Sequence, residues 1–194
     1  MRFVLAVPWF PAGMAVALVV ATILARPLGR RLHVPTALAW VLVTSIGLVL
    51  AATLTPQREA LEFGATSSGS CDFGRMTLAP LAAFRGFNDT SVNVLLLMPL
   101  GTAIGLIPGR RGQTALMIGA LLLPFAIETA QLLLPILDRG CQSADVIDNL
   151  TGLVLGFTAG SLARWLAARL APDLAGRRTC GLRSRSYAVA TTGI

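Results

Sequence analysis

Apolar and polar positions fall in long blocks along this chain, not at the short periods of a helix or strand with one wet face. Apolar blocks cover about residues 3–25, 34–54, 92–107, 113–134 and 146–170. A hydrocarbon core about 30 Å thick needs roughly 20 apolar residues in helical form. Only helices and closed barrels satisfy every backbone group inside lipid. Four blocks have the required length. The third has 16 residues, which span about 24 Å as a helix. It reaches full length by starting earlier, near Asn88. Pro99 within it is tolerable, because neighbouring helices can satisfy the carbonyl it frees. The pattern predicts an all-α fold: a polytopic transmembrane helical bundle of about five spans.

Composition agrees. Hydrophobic residues make up 55% of the chain and charged ones 13%, against about 25% charged in an ordinary soluble domain. The net charge of +7 could suggest nucleic acid, but its distribution excludes that reading. All 16 basic residues are Arg, and all but Arg2, Arg164 and Arg169 fall between the apolar blocks or in the tail. That is a topology signal and not a phosphate-tracking stripe. With the N-terminus outside, the inner segments hold eleven of them: Arg26, Arg30, Arg31, Arg110, Arg111, Arg164, Arg169, Arg177, Arg178, Arg183 and Arg185. The outer segments hold five: Arg2, Arg58, Arg75, Arg85 and Arg139. The expected orientation is N-terminus outside and C-terminus inside. Trp9 and Trp165 then sit near opposite faces as interface anchors. The first block is too long for a signal-peptide core, and its stronger basic flank follows it, so it reads as a retained span.

Residues 1–171 form the expected transmembrane domain, and residues 172–194 a basic inner tail without regular structure. The outer segment 55–91 is long. Its middle, residues 64–70, is small and polar, which predicts mobility. Residues 78–87 are apolar but too short to span, so they should lie on the outer surface or re-enter it. Cys71 and Cys141 both fall outside, on the oxidising side, and are a candidate disulfide; two free thiols are the alternative. Cys180 falls in the tail. His33, the only histidine, sits among inner arginines and reads as an interface residue. No Cys or His cluster has metal-ligand spacing, so no metal or cofactor is expected.

Charge inside the apolar blocks carries the candidate chemistry. Glu128 lies within the fourth, where an acid costs at least about 2.5–3.5 kcal/mol. Gln131 is three residues on and shares its face. Asn93 opens the third block, Arg139 follows the fourth, and Asp145, Asp148 and Asn149 open the fifth. All lie toward the outer end. Asn93, Leu97, Gly101 and Gly105 recur at fours, as do Gly152, Gly156 and Gly160 behind Asn149. Such small-residue runs let helices approach closely in lipid. The polar face and the packing face therefore coincide, and the acids should point into the bundle. There they either bond one another across helices or form an outward-facing site.

This set resembles the VanZ-like membrane proteins. The residues that carry the likeness are Asn93, Pro99 and Gly101; Ile127, Glu128 and Gln131; and Arg139, Asp145, Asn149, Gly152 and Gly156, in that order and over about residues 34–166. Two departures stand out. Pro124 and Phe125 lie where many members carry a Ser, and Gln142 lies where many carry an acid. The resemblance implies a small multi-pass protein of the bacterial cytoplasmic membrane. It also implies a connection with teicoplanin, the lipoglycopeptide antibiotic that the founding member is linked to.

The expected function is an outward-facing polar site near the outer leaflet, built by Asn93, Glu128, Gln131, Arg139, Asp145 and Asn149. It would bind or shield a membrane lipid, a lipid-linked cell-wall precursor or a lipoglycopeptide. The alternative is an intramembrane enzyme acting on a lipid-linked envelope substrate, with Glu128 as general acid or base and Asp145 or Asp148 as partner. No nucleophile elbow, HExxH or P-loop supports it. A transporter is weaker still, because no inverted repeat is visible.

Overall fold

The computed structural model describes residues 7–64, 70–86 and 88–189. The start of the first apolar block and most of the small polar stretch 64–70 lie outside the described residues. Five helices are long and apolar enough to cross a membrane. They are α1 (Phe10–Leu32), α2 (Thr36–Thr53), α4 (Asp89–Leu106), α5 (Arg110–Leu133) and the spanning part of α6 (Ser143–Val189). A short helix α3 (Arg58–Phe63) follows α2. Strands β1 (Cys71–Asp72) and β2 (Cys141–Gln142) pair in parallel, with Cys71 opposite Cys141. The fold is thus the all-α bundle that the apolar blocks predict.

Helix α4 forms the middle of the bundle. Its Leu96, Leu97, Leu100, Ala103 and Ile104 pack into one core with Leu42 and Val49 of α2, Ala120 and Ile127 of α5, and Leu153 of α6. It begins at Asn88, as the length argument requires, and the sequence shows why. The Asn88 side chain accepts from the Ser91 N–H, while the Ser91 hydroxyl accepts from the Asn88 N–H. That reciprocal capping box satisfies two helix-end donors. At the other end, the Gln113 side-chain amide donates to the Ile104 carbonyl at 3.1 Å, and Arg164 donates to the Ile107 carbonyl. These bonds take up carbonyls that a helix end leaves open.

The closest packing is between α4 and α6, and small residues create it. A Cβ at Gly152 would collide with the Val94 carbonyl oxygen, one at Gly156 with that of Met98, and one at Gly101 with that of Leu153. The small-residue runs are therefore the surface on which the two backbones touch. A similar contact joins α1 to α2, where a Cβ at Gly47 would collide with Ala17.

One expected boundary needs correction. The first helix runs over Phe10–Leu32, several residues later than the apolar block of residues 3–25. Pro11 sits in its first turn, where a missing N–H costs nothing. The helix then continues through Arg26, Pro27 and Arg30, because arginine is a good helix former and hydropathy alone does not register that. The α6 backbone runs as helix to Val189.

Candidate functional site

The α4 start, the α5 end and the α6 start meet at the disulfide end of the bundle. There the chain encloses a polar cleft of about 220 Å³. Asp89, Val92 and Asn93 line it from the first turns of α4, Gln131 from α5 and Asp145 from α6. Asp138, Arg139, Gly140 and Gln142 come from the connection between α5 and α6, and Gln57 from the segment after α2. Asp138 can hold its corner because it adopts a left-handed backbone conformation at φ 50°, which Asp tolerates better than most residues.

Four of the expected residues thus line one cleft: Asn93, Gln131, Arg139 and Asp145. Gln131 is buried and also braces the bundle, donating to the Thr53 carbonyl at 3.1 Å. Burial pushes the Arg139 guanidinium below its ordinary pKa, while the Asp145, Glu128 and Asp89 carboxylates pull it back up. Its Nε is buried without a hydrogen-bond partner, and such an orphan costs about 1–3 kcal/mol.

Glu128 occupies a different place. It is 5% exposed, and its Oε2 accepts from the Gln142 N–H at 2.7 Å. It lines a second, apolar cavity of about 430 Å³ behind the cleft, together with Phe125, Leu132, Val146 and Leu150. Gln142 lines both spaces, and Glu128, bonded to its N–H, sits where they adjoin. Asn149 lines neither cavity; it is 2% exposed and its Oδ1 has no partner. Asp148 is also buried at 2% exposure, but it is paired: Arg75 Nη2 lies 2.5 Å from its Oδ2. The three polar residues that open α6 therefore have three different environments.

Arg75 belongs to a segment clamped across the disulfide end. Cys71 and Cys141 are bonded. Arg75 also donates to the Ala144 carbonyl at 3.4 Å, and its own carbonyl accepts from the Ser143 hydroxyl at 2.8 Å. The disulfide is the Cys71–Cys141 pairing that the sequence offered, but sequence reasoning missed the Arg75 contacts, and it missed Gln57, Asp89, Asp138 and Gln142 as lining residues. Asp89 carried one signal, its place in the first turn after the Asn88 cap. Gln142 carried another, its place where many family members have an acid; Gln57 and Asp138 had none. Among the described residues, no group of three or more His, Cys, Asp or Glu could hold a metal ion.

A family model described as VanZ/LLP1 matches residues 40–164 of the chain. No curated protein and no solved structure matches it. The matched region contains every residue that lines the cleft and both bonded cysteines.

Proposed function

This chain belongs to the VanZ-like family, and on that premise we propose that the cleft is a ligand site at the outer face of the bacterial cytoplasmic membrane. It binds or shields a lipid-linked or other cell-envelope ligand, and through it the protein affects susceptibility to the lipoglycopeptide teicoplanin. One observation carries the reading: charged and polar side chains from three membrane-length helices and two connections line a single cleft at one end of the bundle. A scaffold network would saturate its own donors, whereas Arg139 keeps a buried Nε without a partner. The excess of arginine at the opposite end supports an outward cleft.

An acid–base enzyme has less support. The Glu128 carboxylate is held by the Gln142 N–H, and Asp148 is occupied by Arg75. Asp145, the other candidate partner, lines the cleft, whereas Glu128 lines the apolar cavity.

The test is genetic and quantitative. In a host whose teicoplanin susceptibility depends on this protein, Arg139→Gln and Asp145→Asn are compared with wild type at matched expression. The expected result is susceptibility equal to that of the deletion strain. Wild-type susceptibility in both variants would count against the cleft as the working site.

A further inference from the structure

The polar cleft and the apolar cavity share a wall. Gln142 lines both, and Glu128, bonded to the Gln142 N–H, stands at the boundary. On the cleft side the carboxylates of Asp89, Asp138 and Asp145 line the space with the one guanidinium of Arg139. These acids do not form a metal-holding group; they are spread round the cleft, which suits an extended organic head better than an ion. An excess of carboxylates disfavours a purely anionic head. An ammonium close to a phosphate complements it, with the phosphate at Arg139. On the other side, Phe125, Leu132, Val146 and Leu150 make a groove between the spanning parts of α5 and α6. In a bilayer, what is available to fill such a groove is a hydrocarbon chain.

We infer that the two cavities form one bipartite site for a zwitterionic phospholipid with a primary amine in its head. The ammonium lies among the cleft carboxylates, the phosphate meets Arg139, and one acyl chain passes Glu128 into the groove. The inference rests on the reading of the cleft as a ligand site and adds the class of ligand.

Native mass spectrometry of the full chain in mild detergent tests it, with phosphatidylethanolamine and phosphatidylglycerol offered in equal amounts. Wild type should retain one phosphatidylethanolamine in preference to phosphatidylglycerol. Asp145→Asn should abolish the preference. Thr129→Trp fills the groove from an exposed position on its rim and should lower retention about tenfold, equivalent to about 1.4 kcal/mol. Leu150→Trp should act alike, and Val19→Trp, on an exposed face of α1, should have no effect. If Asp145→Asn weakens binding while both groove variants retain lipid normally, the bipartite site is overturned and the cleft reading survives. If phosphatidylglycerol is preferred, the assigned head chemistry is overturned. If no variant changes retention, both readings fall.

Discussion

At the scale of single residues, the strongest constraint is a buried carboxyl group. Glu128 and Asp148 are each almost fully covered, but they are stabilised differently, by a backbone N–H and by an arginine. Breaking a buried ion pair from one side costs about 3–5 kcal/mol, because the other charge stays behind unpaired. Arg75 is 26% exposed, so water can relax part of that cost and Arg75→Ala should fall at or below the low end of the range. Thermal unfolding in detergent checks this: Arg75→Ala should lower Tm clearly, and adding Asp148→Asn should recover part of the loss. An unchanged Tm in the single variant would show that the pair contributes nothing. Glu128→Lys replaces an acceptor of the Gln142 N–H with a donor and should abolish monodisperse yield in size-exclusion chromatography, whereas Glu128→Gln should elute normally. The cost of Glu128 was legible in sequence, since an acid in an apolar run is conspicuous. The Arg75–Asp148 pair was not, because 73 residues separate its members.

At the scale of elements, the α4–α6 pair is the tightest feature and was largely legible. Glycine at every fourth position in both helices announces a close approach. Overpacking of a well-filled contact costs about 1–3 kcal/mol, and at Gly152 the obstacle is backbone, the Val94 carbonyl, which cannot rotate away. Gly152→Val should therefore destabilise by at least that amount. Gly119 of α5 has nothing within 4 Å of where a Cβ would stand, so Gly119→Ala should be stabilising by up to about 1 kcal/mol from helix propensity. Denaturant titration of both variants measures the contrast; equal effects would mean that the glycine runs do not set the packing. Boundaries were less legible than helices. The shift of α1 arises because hydropathy stops at Arg26, whereas backbone hydrogen bonding continues to Leu32.

At the scale of the whole molecule, the clamp over the disulfide end and the arginine excess at the other end define opposite faces. A membrane-impermeant maleimide added to intact cells should label neither Cys71 nor Cys141 until a reductant is supplied, and both afterwards. Cys180 should stay unlabelled from outside and react only in inverted vesicles. Labelling of Cys180 in intact cells would reverse the orientation on which the outward cleft depends. Removing the clamp with Cys71→Ser should also loosen the contact of residues 71–75 with the start of α6, which hydrogen exchange at Ser143 and Ala144 would report as faster exchange.

Lipid makes simple demands, and the sequence alone was enough to meet them: apolar stretches of spanning length, backbone bonds closed within each helix, and small residues wherever two helices touch. The number of spans and the α4–α6 contact follow from those demands, and so does the gathering of polar groups at one end. Which polar group faces which space does not follow. Positions three and four apart share a helix face, so spacing alone does not say how Asp145, Asp148 and Asn149 divide among their neighbours once α6 packs against α4 and the 70–77 segment. Only the tertiary packing put Asp145 in the cleft, Asp148 against Arg75, and Glu128 on the boundary with an apolar groove. Residues from the connections, Gln57, Asp138 and Gln142, complete the cleft because folding brings separate loops together, and no local pattern encodes such a meeting.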